Sequence, residues 1–552
     1  MTLLGLLFSG RKAAFVAVVV FSVLSALLSV AVLAFIGQRM LSAQADLGLV
    51  LLQFSGLLAA LLAAATIAQV TLHKLGHRMV YGLRRDLVRR VLATDIEQLE
   101  KVGGAPLLAA LSTDVRNLTI AFVHLPELVY GCALSVAALG WLAWLSPGLF
   151  GVTVGWLLLT AGMGIWLVGR INFHVGQVRE GDDRLYQDYQ AMIDGRKELA
   201  LNRHRAARFF DEEFDGHAEA YRDHVTRADI HNGIAGNLAN VLMLGLIGVL
   251  FFLAVGQGWA PADTASIFAL TILLLRTPLI GAVAALPTLL AARVSLKKLA
   301  GLALAEAGEA IVPEGDDLSG FQRLVLQGIT YRYPDQDGLG GFAVGPLDLE
   351  IHRGDLIFVQ GGNGSGKSTF ARLLTGLYRP ASGDILVDDV PVCDDNRVAY
   401  RQLFSSVFTD FHLFSRLLRG TGGDVPAAEV DQWLATLGMH HKVDHDGQRL
   451  SDVRFSQGQR KRLALLMAAV EQRDCLLLDE WAADQDPQFR QFFYHELLPA
   501  LQSQGKTIIA ITHDDHYFDR ADRLLKMDAG CLTEVDGQTA RQSVQVLREA
   551  GV

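Results

Sequence analysis

Long apolar runs dominate the first 300 residues of the chain. Two of them, residues 13–36 and 49–72, contain no charged side chain. Four more lie near residues 128–146, 149–169, 235–255 and 264–290. A helix needs about 20 apolar residues to cross the hydrocarbon core of a bilayer. The pattern therefore predicts six transmembrane helices in contact with lipid, the third and fourth joined by the tight turn "SPG".

The first apolar run also admits a second interpretation, a cleaved signal peptide, because "SAQA" follows at residues 42–45. The apolar part of a signal peptide has only about 7–15 residues, and the run is longer than that. More apolar runs follow it in the chain. We therefore expect the first run to stay in the protein as a membrane span.

The connections between the predicted spans differ in charge. Residues 73–121 contain eight Lys or Arg residues, and residues 170–232 are similarly rich in Arg. The three alternate connections are short, and Arg39 is their only basic residue. Basic loops stay in the cytoplasm, so we expect both long loops, both termini and the second half of the chain to be cytoplasmic.

The long loops have their own apolar pattern. Leu75, Met79, Leu83 and Leu87 recur at spacings of four, which is typical of one face of an amphipathic helix. We expect the spans to continue as helices into the cytoplasm. The predicted turning points are residues 103–118 and 195–210.

The pattern changes after residues 304–320, an acidic stretch punctuated by Gly and Pro that is typical of a linker. Short β-rich runs then alternate with helical ones, as in α/β domains. The predicted organisation is an all-α transmembrane domain with six helices at 1–303, the linker at 304–320, and an α/β nucleotide-binding domain at 321–552.

Charge supports this division. Residues 1–300 contain 25 Lys and Arg against 21 Asp and Glu, and the remainder contains 24 against 37. The apolar half is thus mildly basic and the second half strongly acidic. An acidic domain has no electrostatic footprint for nucleic acid, so no nucleic-acid partner is expected.

The stretch "GGNGSGKST", residues 361–369, follows the apolar strand pattern "DLIFVQ" and precedes a helical pattern. It matches the phosphate-binding loop G-x-x-x-x-G-K-[ST], whose backbone N–H groups surround phosphates. Lys367 would contact the β- and γ-phosphates of ATP, and Ser368 would bind Mg²⁺. The predicted nucleotide-binding residues here are Gly361, Asn363, Gly364, Ser365, Gly366, Lys367, Ser368 and Thr369.

A second apolar strand pattern, "CLLLDE", ends in two carboxylates. Asp479 is placed to hold Mg²⁺ through water, and Glu480 to polarise an attacking water. A core strand that ends at the surface would look the same by itself. Together with a phosphate loop, the pair predicts ATP hydrolysis.

The stretch "FSQGQRKRLALLMAAV", residues 455–470, resembles the signature loop of the ATP-binding cassette (ABC) family, with Phe455 and Gln457 in place of the usual Leu and Gly. A helix N-terminus there offers free N–H groups to an anion. The resemblance implies that Ser456, Gln457, Gly458 and Gln459 bind the γ-phosphate of an ATP held by the opposite subunit.

The resemblance extends to three further positions. It implies that Tyr333 stacks on adenine, with Tyr331 as an alternative two residues earlier. It also implies that Asp486 communicates across the dimer and that His513 contacts the γ-phosphate. The chain departs from the family where a glutamine normally joins the nucleotide site to the membrane helices. In "VFTDFHLF" that position is Thr409, next to Asp410, so Thr409 is the candidate oxygen ligand for Mg²⁺ or its water.

Six spans, a linker and one cassette are the arrangement of an ABC half-transporter of the exporter type. Since the signature loop of this family acts on the partner's ATP, a dimer is implied. A homodimer is the simpler arrangement, and a heterodimer remains open.

Several stretches resemble the cyclic-peptide exporter branch, which includes exporters of lasso-peptide microcins and of pyoverdine precursors. They are residues 112–129 and 273–290, "FTDFHLF" and "LLLDEWAADQDP". This implies the bacterial inner membrane and a peptide-type cargo, with no leader-peptide cleavage by this chain. A lipid or multidrug exporter and an ATP-regulated membrane sensor are the alternatives.

Ionisable groups at membrane depth are costly, so they usually face a cavity or a partner. Arg276, His124 and Glu127 are therefore candidates for cargo contact, with a structural ion pair or an interfacial position as the alternative. Asn237 and Asn240 are weaker candidates. Pro278 and Pro287 are expected to kink the sixth span beside Arg276.

Overall fold

The computed structural model describes residues 12–40, 47–305, 318–333 and 341–535. The chain divides into two compact units. One comprises Met1–Leu87 and Ala105–Leu302, and the other comprises Val88–Gly104 and Ala303–Val552. Most of the predicted linker, residues 306–317, lies outside the described residues.

Helices are the only regular elements of the described residues up to Gly301. They are α1 (Lys12–Phe35), α2 (Leu47–Ala93), α3 (Ile96–Val102), α4 (Gly104–Ala109), α5 (Val115–Leu145), α6 (Pro147–Asp194), α7 (Arg196–Leu201), α8 (Arg203–Arg208), α9 (Asp215–Phe251) and α10 (Ala262–Gly301). Four π-helical turns extend α1, α4, α8 and α9, at Ile36–Met40, Ala110–Asp114, Phe209–Phe214 and Phe252–Gly256. Six helical stretches are long and apolar enough to cross a membrane. The predicted six-span architecture is confirmed.

The helices α2 and α6 extend well beyond their apolar runs. At 1.5 Å per residue each is about 70 Å long, whereas the hydrocarbon core is about 30 Å thick. The predicted continuation of the spans is therefore present. The second turning point, residues 195–210, contains the breaks between α6, α7 and α8. The first, residues 103–118, contains the break at Gly103 that follows α3, but not the earlier break at residues 94–95.

Apolar side chains hold the helices of the first unit together. The buried residues of α5, among them Leu134 and Ala138, pack with Ala26 of α1 and Leu275 of α10. The pair α6 and α9 is joined by a hydrogen bond of 2.9 Å from the Trp156 indole N–H to the backbone carbonyl of Leu242. Pro278 and Pro287, the two prolines expected to kink the sixth span, lie inside α10.

The second half of the chain forms an α/β unit. Its strands are β1 (Arg323–Arg332), β2 (Ala343–His352), β3 (Leu356–Gln360), β4 (Ser382–Val387), β5 (Val390–Pro391), β6 (Phe404–Val407), β7 (Cys475–Asp479), β8 (Thr507–Ile511), β9 (Arg523–Asp528) and β10 (Cys531–Val535). Its helices are α11 (Lys367–Leu374), α12 (Arg397–Arg401), α13 (Ala427–Thr436), α14 (Gln457–Val470), α15 (Pro487–Phe492) and α16 (Leu498–Ser503). The 3₁₀ turns Trp481–Asp484 and Asp515–Arg520 and the π turn Phe493–Leu497 complete it.

These strands form two sheets. The first is antiparallel, in the order β2-β1-β4-β5. The second has the order β10-β9-β3-β8-β7-β6 and is parallel from β9 to β6. Its central strands are apolar on both faces: in β3, Phe358 packs into one core and Ile357 and Val359 into the other. A parallel strand covered on both sides needs such a continuous apolar run, which explains "LIFV".

The buried core predicts the effect of one truncation. Leu498, at the start of α16, is fully buried in the core on one face of the larger sheet. We expect Leu498→Ala to lower the free energy of unfolding of the α/β unit by about 2–5 kcal/mol, because it leaves a cavity. Leu418→Ala, at a position 38% exposed, is the matched control and should cost under about 1 kcal/mol. Pulse proteolysis of the solubilised chain in urea measures both, and equal losses would contradict the assigned core.

Candidate functional site

Three neighbouring strands bring the predicted catalytic residues to one edge of the larger sheet. β8 lies between β3 and β7, and all three are parallel. The phosphate loop follows β3, His513 follows β8, and Glu480 follows β7. The carboxyl ends of parallel strands are where α/β sheets place their ligand sites. The sequence motifs, up to 152 residues apart, therefore converge on one place.

Glycines fix the shape of the phosphate loop. Gly364 and Gly366 have φ angles of +76° and +106°, which favour residues without a Cβ. A Cβ on Gly361 would lie 2.3 Å from the backbone oxygen of Met527. The Lys367 ammonium donates to the carbonyl oxygens of Gly361 and Gly362, at 2.8 and 3.0 Å, so it lies across the loop.

The loop residues fit a polyphosphate with Mg²⁺. The Ser365 hydroxyl is buried and has no hydrogen-bond partner within the described part of the chain. Lys367 begins α11, so the amide groups of the first turn are free of helical partners. Asn363 and Ser368 are exposed. A cation, free amides and a hydroxyl in the first turn are the donor set that phosphates and a hard metal ion require.

The predicted Mg²⁺ carboxylate is buried: Asp479 is only 2% exposed. Burial and the neighbouring Glu480 raise the pKa of Asp479 to about 6. The charges of Lys367 and Arg372 lower that pKa, and the charge of Asp410 raises it. A buried acid of this kind is stabilised in its ionised form when a cation binds nearby.

Glu480 has a strained backbone. Its φ angle is +49°, in the left-handed region that few non-glycine residues occupy. Its backbone N–H donates to the Ile511 carbonyl at 3.0 Å. One carboxylate oxygen, Oε1, lies 3.1 Å from Nε2 of His513. The two predicted catalytic residues are thus in direct contact.

The signature stretch begins a helix, as its sequence predicts. Ser456 is the N-cap of α14, and it forms a reciprocal capping box with Gln459. Both Ser456 and Gln457 are exposed. A Cβ on Gly458 would lie 2.5 Å from the backbone oxygen of Asp484, so the start of α14 packs directly on the segment that follows Glu480.

Two basic side chains of α14 strengthen this packing, and the sequence motifs did not reveal them. The buried Lys461 ammonium donates to the Glu480 carbonyl at 2.6 Å and pairs with Asp484 at 2.7 Å. Arg462 pairs with Asp486 at 2.8 Å. Asp486 is the N-cap of α15, and the N–H of Phe489 together with Arg462 lowers its pKa. The signature helix and the Asp486 loop therefore form one packed body.

The two tyrosines of β1 and its end differ in environment. Tyr331 is 5% exposed and packs against Tyr378 with ring centroids 5.0 Å apart. Burial, with the charges of Glu97 and Glu100, raises its pKa to about 12. Tyr333 is partly exposed, and its hydroxyl lies 3.0 Å from that of Thr369 in the phosphate loop. Tyr331 is thus a core residue, whereas Tyr333 reaches the loop.

The predicted metal ligand Thr409 and its neighbour Asp410 lie just beyond β6, the strand beside β7. Both side chains are exposed. The Asp410 charge acts on Asp479, which places Asp410 close to the site.

Two acidic residues, one just before α3 and one within it, contact other parts of the second unit, to which both belong. Asp95 accepts hydrogen bonds from Arg379 at 2.9 Å and from Arg401 at 3.0 Å. Burial alone would raise the pKa of Asp95, but the two arginines lower it overall. Sequence reasoning missed this site; its only signal is the closeness of three acids, Asp95, Glu97 and Glu100, in a loop with an excess of basic residues.

The second acid of this pair, Glu100, reaches the phosphate-loop helix. It lies 3.6 Å from Arg372 of α11 and accepts a hydrogen bond from the Tyr378 hydroxyl. Segment 88–104, which continues α2, is thus attached to the helix that carries the phosphate loop.

The candidate cargo residues lie on α5, α9 and α10. His124 Nδ1 is 3.0 Å from Glu127 Oε2, so Glu127 pairs along its own helix and not with Arg276. Arg276 and Asn237 are exposed, and Asn240 is partly exposed.

A cavity of about 580 Å³ lies between α1, α2, α5 and α10. Glu127, Tyr130, His73 and the buried serines Ser22, Ser25 and Ser29 contribute its polar lining, and leucines of α2 contribute the apolar wall. Glu127 is thus the candidate that the structure places at a cavity.

Known proteins match the α/β nucleotide-binding unit alone and also most of the whole chain. The sequence profile of the family described as "ABC transporter" matches residues 344–483. The ATP-binding protein SyrD of Pseudomonas syringae pv. syringae is 36% identical over 82% of this chain and 82% of its own. The ATP-dependent lipid A-core flippase of Burkholderia orbicola (strain AU 1054) is 24% identical over 84% of this chain and 79% of its own.

A further relative matches a smaller part of the chain. The macrolide export ATP-binding/permease protein MacB of Wolinella succinogenes is 32% identical over 39% of this chain and 35% of its own. SyrD, by contrast, aligns over most of both chains at more than 30% identity. With six apolar helices followed by an α/β nucleotide-binding unit, the chain therefore belongs to the ABC transporter family, as an exporter-type protein that binds ATP and couples its hydrolysis to transport.

Proposed function

We propose that this protein is an ATP-driven exporter of a peptide-type cargo, a cyclic or lasso peptide or a peptidic siderophore precursor. It works as a homodimer in the bacterial inner membrane, with its termini and nucleotide-binding domain in the cytoplasm. One observation carries the ATP-driven part: Lys367, Asp479, Glu480 and His513 converge at one sheet edge, in a chain with six membrane-length helices.

The phosphate-loop residues hold ATP. The loop amides and Lys367 bind the β- and γ-phosphates, and Tyr333 stacks on adenine because Tyr331 is occupied in the core. Ser368 and Asp479 would hold Mg²⁺, Asp479 through water, and the ion would supply positive charge to the phosphate oxygens. Thr409 keeps its proposed role as an oxygen ligand. Asp410 is a second proposed ligand, because the charge of Asp410 acts on Asp479.

Glu480 orients and deprotonates the attacking water. Its contact with His513 fixes the direction of the carboxylate, and the strained backbone presents it beyond the end of β7. His513 keeps a role at the γ-phosphate.

The signature helix supports the homodimer. Ser456 and Gln457 are exposed at the start of α14, where they can meet an anion on a second copy. The packing of Lys461 and Arg462 makes Asp486 move together with that helix. ATP binding by two copies would therefore bring both loops to the partner's nucleotide.

The cargo class rests on resemblance to the cyclic-peptide exporter branch and on the cavity beside Glu127. Its serine and tyrosine hydroxyls face an apolar wall, which suits a molecule with both amide and apolar groups. Export of a lipid is the second candidate, because the similarity to lipid A-core flippases also extends over most of the chain.

Vesicle transport tests the proposal. Inside-out vesicles with the native chain should accumulate a labelled lasso or siderophore peptide when ATP is added. Glu480→Gln should lower ATP hydrolysis by about 10²–10⁴-fold, because the general base is lost, and abolish accumulation. Glu496→Gln, an exposed acid elsewhere in the same unit, is the control and should behave as the native chain does. Hydrolysis without uptake of any peptide, but with uptake of labelled lipid, would favour the second candidate.

The environment of Asp479 predicts a pH-dependent affinity for the metal. Because its pKa is raised to about 6, protons compete with the cation below that pH. The affinity for Mn²⁺, used as a probe with ATP, should fall about tenfold for each pH unit below about 6 and be constant above about 7. Electron paramagnetic resonance measures bound Mn²⁺. Asp479→Asn should remove this dependence and leave only the part due to protonation of ATP; an unchanged profile would exclude Asp479 as the titrating group.

Asp95 should couple hydrolysis to transport. Asp95→Asn removes the negative charge and one of the two acceptor oxygens that Arg379 and Arg401 use, so we expect cargo uptake per ATP hydrolysed to fall about threefold to tenfold. Arg401→Gln should have a similar effect, and the double variant should be no worse than either single one. Additive losses in this double-mutant cycle would mean that the two residues act separately.

A further inference from the structure

A cluster of basic side chains joins α6 and α9 just beyond their apolar runs. Arg170 is the first charged residue after the apolar run of α6, and His174 follows one turn later. On α9, His224, Arg227 and His231 precede the apolar run that starts near residue 235. Their spacings of four, three and four place them on one face of each helix.

Contacts between the rings show that these two faces meet. His174 Nδ1 lies 3.2 Å from His224 Nδ1, and the ring centroids are 5.5 Å apart. The His231 ring centroid is 5.6 Å from that of His174. Arg170 and Arg227 are close enough to act electrostatically on His174. Five groups that are cationic or can become so thus share one small region.

The hydrogen bonds fix which ring nitrogens carry protons. His231 Nδ1 is 2.6 Å from the Arg227 carbonyl oxygen, which can only accept, so Nδ1 carries the proton. One proton between the Nδ1 atoms of His174 and His224 satisfies their contact, so the ring that accepts it carries its own proton on Nε2 and can donate it to an anion. The permanent positive charge of the cluster is that of Arg170 and Arg227.

Two carboxylates of the same helices have other partners. Asp223 pairs with Arg222 at 2.9 Å, and Asp188 pairs with His217 at 2.8 Å. Asp229 is two residues from Arg227, on the opposite face of α9. In the described ranges, neither Arg170 nor Arg227 is within ion-pair distance of a carboxylate. A bound anion would offset this excess of positive charge.

The surroundings indicate where that anion comes from. Trp166 and Phe173 are 68% and 64% exposed, and the Arg170 guanidinium lies 5.8 Å from the Trp166 ring centroid. Ile230 and Ile234 are also more than half exposed. Exposed aromatic side chains next to basic ones are typical of the boundary between hydrocarbon and headgroups. A soluble anion would gain nothing from these apolar neighbours, whereas the acyl chains of a lipid would pack against them.

We propose that this cluster, Arg170, His174, His224, Arg227 and His231, is a binding site for the phosphodiester headgroup of an anionic phospholipid. The arginines contact the phosphate oxygens, and the free Nε2–H of the His174–His224 pair adds a hydrogen bond. The acyl chains lie along Trp166, Ile230 and Ile234. This site is separate from the nucleotide site and does not depend on the proposed cargo.

Lipid competition on the full-length chain, purified in an uncharged detergent, tests the site. Native mass spectrometry compares dioleoyl phosphatidylglycerol with dioleoyl phosphatidylcholine. The native chain should prefer the anionic lipid, and Arg170→Gln with Arg227→Gln should lower that preference about thirtyfold, as expected for two arginines near an anionic surface. Arg170→Lys with Arg227→Lys should restore most of it, which also shows that the positions tolerate substitution.

The matched control removes the same charge from arginines that have carboxylate partners. Arg208→Gln with Arg222→Gln should change the preference less than about twofold, because these side chains face Glu212, Glu219 and Asp223. An equal loss in this control would overturn the proposal, since it would reveal diffuse attraction to basic loops. Displacement of the lipid by millimolar inorganic phosphate would overturn the lipid as the source and leave a soluble anion.

Discussion

The buried carboxylate of Asp479 is the group on which the chemistry depends. A negative charge at 2% exposure is stable only if cations surround it. Lys367 and Arg372 provide part of that charge, and a metal ion would provide the rest. Arg372 also contacts Glu100 and Tyr378. The electrostatic balance at the end of β7 therefore extends through one arginine to segment 88–104, which contains the last six residues of α2 and all of α3.

A second constraint is that the signature helix α14 and the segment that starts at Glu480, just after β7, cannot shift independently. Lys461 is held by the Glu480 carbonyl and by Asp484, and Gly458 leaves no room for a side chain against the same segment. Any displacement of α14 is thus passed to the backbone of Glu480. The position of the N-terminus of α14 and the geometry of Glu480 therefore change together.

Sequence patterns predicted most of the fold, because lipid and parallel sheets both impose strict rules. Runs of about 20 apolar residues are long enough to be spans, and "LIFV" and "LLLD" are typical of strands covered on both faces. The pair Glu480 and His513 was also predictable, since both follow such strands. Asp95, Lys461 and Arg462 were not, because their importance comes from partners 19 or more residues away in sequence and from no local motif. The break at residues 94–95 was missed for a related reason: short helices such as α3 leave almost no periodic signal.

Helix length has a mechanical consequence. The charged part of α2, from His73 to Ala93, projects about 30 Å beyond the apolar run, without a break. A tilt of about 5° in the membrane would move its far end by about 3 Å, roughly the length of one hydrogen bond. A rod of this kind converts an angular change too small to open a gap between spans into a displacement large enough to make or break the contacts of Asp95. The resistance of α2 to bending, more than any single side chain, therefore determines how much of the tilt reaches Asp95.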